Sequence, residues 1–146
     1  MWGLVLEVLA YLLVWGFRRP APEQTAAVWI AFALVLAPLS SLFFAAAARE
    51  LGLHFRIKAV VAANHELITT GPYRMVRHPI YASMLGLLVS NAIAVSRWEA
   101  ALSALILYLV GTEIRVRSEE GLLARRFPEQ LAAYRMQVRA YLPFLR

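Results

Sequence analysis

Ile80-Tyr-Ala-Ser-Met-Leu-Gly-Leu-Leu-Val-Ser-Asn-Ala-Ile-Ala-Val95, then Ser96-Arg97, then Trp98-Glu-Ala-Ala-Leu-Ser-Ala-Leu-Ile-Leu-Tyr-Leu-Val-Gly-Thr-Glu-Ile114, is the stretch whose reading decides the fold. Each apolar run spans roughly 24–26 Å as a helix, a thin but adequate bilayer crossing. A linker of two residues forces the runs into an antiparallel hairpin. The start of the first and the end of the second therefore return to one membrane face. That brings Arg77-His78 beside Arg115-Val-Arg-Ser-Glu-Glu120, about forty residues away in sequence.

Composition agrees with a bilayer as solvent. The 146 residues are 61% hydrophobic and 16% charged, with a mean hydropathy of +0.61. Soluble domains carry about 45–50% apolar and about 25% charged residues, and a chain this short cannot hide the excess in one core. Two further spans are expected within residues 1–50. Trp2–Phe17 is one; it lacks the basic start and small-residue cleavage site of a signal peptide and contains Glu7. Thr25–Ala48 is the other, with a kink expected at Pro38. The fold class predicted is all-α: a polytopic membrane bundle of about four transmembrane helices with a C-terminal amphipathic cytoplasmic helix. Residues 1–146 form a single integral membrane domain in this reading, with the hairpin and C-terminal helix in residues 51–146.

Charge sets the orientation. With four spans, Arg18, Arg19 and Arg97 fall on one side, and every other Lys and Arg on the side of the termini. The positive-inside rule makes that side, and both termini, cytoplasmic, in a cell inner membrane. The net charge of +6 then faces anionic lipid, and without a basic-aromatic recognition motif nucleic acid is not an expected partner. The chain has no Cys and three His, and no Asp, so neither disulfides nor a metal site is expected.

Beyond Glu120, Leu122, Leu123, Phe127, Leu131, Tyr134, Val138 and Leu142 recur at helical spacing with arginines between them. This predicts an amphipathic helix broken near Phe127-Pro128. It lies either in the lipid interface or as a lid over the Arg77/Glu119 cluster. Arg77 alone would be a snorkelling anchor; Tyr73, His78, Tyr81 and the carboxylates raise it to a candidate site. Pro79 suits a first helical turn. Glu119 and Glu120 are open to two readings, a favourable pair at the N-terminus of a last helix or acceptors for a ligand. Asn91 and Glu7 read as packing hydrogen bonds within the spans.

His65-Glu-Leu-Ile-Thr-Thr-Gly-Pro-Tyr-Arg-Met-Val-Arg-His-Pro-Ile-Tyr81 resembles the signature of the isoprenylcysteine carboxyl methyltransferase family, which sits with the phospholipid methyltransferases. The second half of the signature matches Glu119-Glu120, Leu123, Phe127, Tyr134, Val138 and Pro143. The likeness runs from about Leu51 to Pro143. The chain departs from the family at three points: Ser83 and Pro128 where the family has Gly, and Leu131 where an aromatic is common. The resemblance implies S-adenosylmethionine as cofactor, with His65, Gly71, Tyr73, His78, Tyr81, Glu119 and Glu120 lining its pocket. Arg77 would face a lipophilic acceptor entering from the bilayer, with Glu120 beside it in catalysis. A carboxylate acceptor would be held by Arg77; an amine would need a base, for which Glu119, Glu120 and His78 are the candidates. Carboxyl, amine and thiol acceptors stay open at this level, as do a nicotinamide-dependent reductase of sterol-reductase type and a non-catalytic scaffold.

Overall fold

A computed structural model describes residues 2–20, 26–52 and 67–141. It comprises α1 (Trp2–Gly16), α2 (Ala27–Leu51), a 3₁₀ turn (Gly71–Arg74), α3 (Pro79–Val95), α4 (Trp98–Arg126) and α5 (Pro128–Gln137). The described residues are helical with no named strand; two isolated bridges join chain segments, Arg18 to Ser96 and Val76 to Arg139.

Local chemistry explains the boundaries. Pro79 opens α3 at its first turn, where the missing N–H costs nothing and φ is already helical. Pro38 lies inside α2, and the helix runs through it uninterrupted. The reading of a new helix after Glu120 needs correction, because α4 continues through Glu119-Glu120 to Arg126. The residues from Arg115 to Arg126 are mostly strong helix formers, with Gly121 as the weak point. Pro128 is the first residue that cannot continue the ladder, and it starts α5 instead. The pattern after Glu120 is thus divided between the end of α4 and α5, which buries Leu131 and Tyr134 and turns Met136 outward. Glu119 and Glu120 consequently do not sit at a helix N-terminus.

Two helix pairs make the bundle: α1 packs along α4, α2 along α3, and α3 also touches α1 and α4. Ala10, Val14, Leu85, Leu88, Ala92, Ala104 and Tyr108 form the shared core. Small residues set the distances. A Cβ on Gly3 would lie 2.6 Å from the Gly111 carbonyl oxygen, and one on Gly111 would lie 2.7 Å from that of Gly3. Such close backbone approach is how helices associate where lipid removes the hydrophobic drive. Gly86 does the same between α2 and α3, with Ser40 Oγ 2.2 Å from where its Cβ would be.

At the end of the bundle away from Arg77, main chain clips the two connections together. Arg19 N–H donates to Val95 O and Arg97 N–H to Phe17 O, each at 3.0 Å. Among the described residues, α2 is the helix long and apolar enough to cross a bilayer; α1 and α3 are shorter apolar helices. Within the most apolar stretch of α2, 17% is buried inside the fold, and Trp29, Phe32, Leu34, Val35, Leu39 and Leu42 are exposed. A soluble core helix would be covered, and an apolar surface of this extent requires a lipid or protein partner.

The glycine crossing can be tested by thermal denaturation in detergent. Gly111→Ala is expected to destabilise by about 1–3 kcal/mol, the usual cost of overpacking. Gly16→Ala, where a Cβ meets nothing within 4 Å, is expected to leave the midpoint unchanged or raise it.

Candidate functional site

Three chain segments converge where α3 begins. Val76 bridges Arg139 in parallel register. Arg77 N–H donates to Arg139 O and His78 N–H to Ala140 O, both at 2.7 Å. The chain beyond α5 is thereby laid against the start of α3. α4 supplies the third side, because the tight turn at Ser96-Arg97 sends it back antiparallel.

Glu120 is the hub. Arg77 Nε donates to its Oε1 at 2.9 Å, and Arg77 Nη2 stands 2.9 Å from the same oxygen. His78 Nε2 is 3.2 Å from Oε1, and Arg135 Nη2 donates to Oε2 at 2.6 Å. Arg77 Nη1 donates to the Val138 carbonyl. Glu119 holds the other side of the imidazole, with Oε2 3.5 Å from His78 Nδ1, and Tyr81 OH donates to its Oε1. His78 caps α3 without using its side chain, since the ring is committed to the two carboxylates.

The polar chain then continues into the apolar bundle. Arg115 Nε donates to Tyr81 OH at 2.9 Å, and its Nη1 pairs with Glu7 Oε2 at 3.3 Å. Thr112 Oγ1 donates to Glu7 Oε1 at 3.2 Å. Glu7, at 1% exposure, and Glu120, at 3%, are as buried as core residues. Among the described residues no buried side-chain nitrogen or oxygen lacks a partner, as such depth requires.

Protonation follows from these contacts. Burial alone would raise the Glu120 carboxyl, but hydrogen bonds and charge from His78 and Arg77 outweigh it and hold it at about 2. Burial pushes His78 down, yet the carboxylates of Glu119 and Glu120 win and raise it above its ordinary value. Both ring nitrogens face carboxylate oxygens, which suits an imidazolium donating twice.

Of the residues picked out in sequence, Arg77, His78, Tyr81, Glu119 and Glu120 are brought together. Tyr73 is buried beside them through its carbonyl, which accepts from Tyr134 OH. Burial raises the Tyr134 hydroxyl to about 12 despite Arg77, so it remains a donor. Gly71 lies at the edge, with φ of +57° and Glu50 where a Cβ would go. His65 lies outside the described residues. The departures from the family pattern are absorbed: Ser83 Oγ donates to Pro79 O at 2.7 Å, Pro128 opens α5 in its first turn, where a helical φ needs no glycine, and Leu131 is 2% exposed in the core.

Arg135 and the Glu7–Arg115 pair escaped the sequence reading as site residues. A signal existed: Gly3 and Glu7, like Gly111 and Arg115, stand four apart on one helix face. Two small residues, each one turn from one of a pair of opposite charges, mark a place where the helices can cross and pair them. Asn91 donates to Leu87 O one turn back at 2.8 Å, a bond within α3 and not the packing bond to another helix that the sequence leads us to expect.

Residues 27–125 match the model of the isoprenylcysteine carboxyl methyltransferase (ICMT) family. The chain is 32% identical over 130 residues to the nickel-cobalt-cadmium resistance protein NccN of Alcaligenes xylosoxydans xylosoxydans, covering 88% of this chain and 57% of that protein. It is 37% identical over 83 residues to the cobalt-zinc-cadmium resistance protein CzcN of Cupriavidus metallidurans, covering 56% of this chain and 38% of that protein. The chain thus spans about half the length, or less, of the relatives it matches.

The hub makes stability depend on pH in a definite sense. Glu120, held below its unfolded value, stabilises fully above about pH 4.5 and loses that contribution as pH falls towards about 2. His78, raised, stabilises fully below about pH 6.5 and loses it as pH climbs through its elevated value. The melting midpoint in detergent is expected to be highest between those limits. Glu120→Ala should cost about 3–5 kcal/mol, the penalty of stranding buried cations, and His78→Gln should flatten the alkaline arm.

Proposed function

The chain belongs to the isoprenylcysteine carboxyl methyltransferase family, and from that premise we propose that it is a membrane-embedded, S-adenosylmethionine-dependent methyltransferase. It acts on a lipophilic acceptor, an isoprenylcysteine-type carboxylate or a close analogue, at the cytoplasmic face of the inner membrane. Residues 1–146 act as one domain of four spans, α1 to α4, with both termini cytoplasmic and α5 as the amphipathic lid. The observation that carries this reading is the buried Arg77–His78–Glu119–Glu120 cluster, built on the family's own motif residues from two distant segments.

The donor set suits the cofactor. Glu119 is partly open, at 27% side-chain exposure, and offers a carboxylate to an ammonium or ribose hydroxyls. Tyr73, Tyr81 and His78 supply flat faces and donors, and Gly71 stands at the edge beside the Glu50 side chain. His65 completes the set by family resemblance. When bound, S-adenosylmethionine supplies a methyl group already activated on a sulfonium, so a metal or covalent nucleophile is not required.

The residues of this chain then hold and orient. Arg77 is pinned by Glu120 and by the Val138 carbonyl, so its guanidinium is pre-aimed towards an acceptor carboxylate. Positioning of this kind supplies much of the rate in a two-partner reaction. Glu120 serves by fixing Arg77. A carboxyl held at about 2 is a poor proton acceptor near neutral pH, and His78 keeps its proton between two carboxylates. An amine or thiol acceptor would need a proton removed, and neither Glu120 nor His78 is suited to take it, which leaves Glu119, already engaged by Tyr81 and His78, as the candidate base. A carboxylate needs no such step, and the local charge favours an anion: Arg77, protonated His78, Arg115 and Arg135 outnumber Glu7, Glu119 and Glu120. The names of the two relatives speak of metal resistance, which recommends growth with cadmium, cobalt or nickel as the condition under which to search for the acceptor.

Titration calorimetry of the detergent-solubilised protein with fresh S-adenosylmethionine is expected to give saturable heat. Glu119→Ala and His78→Ala should weaken it at least tenfold. Arg77→Lys should leave cofactor binding within about threefold and cut methyl transfer by two orders of magnitude or more, because a point charge cannot reproduce the fork. A folded wild type that binds reduced nicotinamide and shows no heat with S-adenosylmethionine would overturn the assignment.

A further inference from the structure

At the opposite end of the bundle from the Glu120 hub, α3 and α4 diverge from their turn and leave a groove of about 430 Å³. Leu88, Val89, Ile93, Ala101, Leu102 and Leu105 supply its apolar walls, and the guanidinium of Arg19 stands at its mouth beside Ser96. The α3 side of this groove, from Leu88 to Ser96, lies roughly 14–25 Å along the helix from its start at Pro79, so it is separate from the methyl-transfer site.

The mouth is built for an anion. Arg19 is anchored by Nε to Ser96 O and by Nη2 to Ile93 O, both at 2.7 Å, bonds that orient its charge without neutralising it. Arg18, over the Trp15 ring at 4.7 Å, and Arg97 are exposed and project from the same clipped connections. Among the described residues, none of these three arginines forms an ion pair with a carboxylate. The acidic residues nearest in sequence are Glu99, two residues from Arg97 on the first turn of α4, and Glu23, four residues from Arg19. Trp98, 69% exposed, stands on the groove wall where an indole suits the headgroup level. An apolar groove of ligand-site size, with Arg19 in its lining, Arg18 bridged to the lining residue Ser96 and Arg97 next to Ser96 in the chain, has the shape and charge of one kind of molecule.

We propose that this groove binds an anionic phospholipid of the leaflet opposite the methyl-transfer site, one acyl chain against Leu88, Leu102 and Leu105 and the phosphate at Arg19, Arg18 and Arg97. The proposal rests on the four-span reading and not on the methyl transfer. The site accounts for why these three cations are retained on the side that the positive-inside rule otherwise depletes.

The test uses the full chain in a neutral detergent, with phosphatidylglycerol, phosphatidylcholine or inorganic phosphate added. Phosphatidylglycerol is expected to raise the melting midpoint saturably by roughly 5 °C, phosphatidylcholine to require at least tenfold more, and inorganic phosphate to do nothing. The charge variant Arg18→Gln/Arg97→Gln and the groove-filling variant Ala101→Trp should each abolish the phosphatidylglycerol shift. Arg19 is left intact because it ties Ser96 and Ile93. Native mass spectrometry gives a second measure, with wild type retaining one phosphatidylglycerol and Ala101→Trp none. Equal shifts with both lipids, or a full shift in Ala101→Trp that melts like wild type without lipid, would overturn the site. Flotation with neutral liposomes separates the two claims: a protein that fails to float removes the four-span reading and the lipid site with it. A protein that floats yet shows no preference for phosphatidylglycerol removes the lipid site alone.

Discussion

A single carboxylate, Glu120, holds three cationic groups from two distant parts of the chain. Arg77 and His78 come from the start of α3, Arg135 from α5, and the carboxylate itself from α4. A charge this deep is tolerated only with full compensation, so the surrounding structure is constrained to deliver all the partners at once. The main-chain bridge from Val76 to Arg139 and the bond from Arg77 to the Val138 carbonyl belong to the same requirement, since they fix where the first cation points. Remove the hub and the Arg135–Glu120 link between α5 and α4 goes with it.

The hub also decides what chemistry is reasonable. Strong cations fix Glu120 in its ionised form, and the two carboxylates keep the proton on His78. Groups tied up in this way cannot shuttle protons at neutral pH, and the site is better suited to gripping than to acid-base exchange. A reaction whose methyl group arrives already activated asks for that division of labour. The extension through Tyr81 and Arg115 to Glu7 links the grip to α1, a helix with no family motif of its own.

Much of this was legible from residues. The two-residue turn at Ser96-Arg97, between apolar runs of similar length, was enough to bring Arg77 to the glutamates, because antiparallel geometry leaves little choice. Pro79 and Pro128 marked helix starts for plain steric reasons. The end of α4 was misread, since the change from apolar to charged residues after Ile114 is not a helix boundary; Arg and Glu propagate a helix as well as Leu does. The Glu7–Arg115 pair was hidden for another reason. Its formation depends on how closely α1 and α4 approach, and that distance is set by Gly3 and Gly111 meeting across the interface, a tertiary fact that neither helix states alone.

An unbroken α4 has a mechanical meaning. From Trp98 at the far turn to Glu120 the helix is a stiff rod of roughly 33 Å, and a rotation of about 5° at its Trp98 end would carry Glu120 roughly 3 Å sideways, more than a hydrogen bond survives. The Gly3–Gly111 contact is the fulcrum that resists it. Under the four-span proposal, bilayer thickness would act on that same rotation, because helices adjust to a thicker or thinner hydrocarbon layer by changing tilt. The geometry around Arg77 would then be coupled to the dimensions of the membrane, with the depth of the lipid layer one of the parameters on which an ordered hub depends.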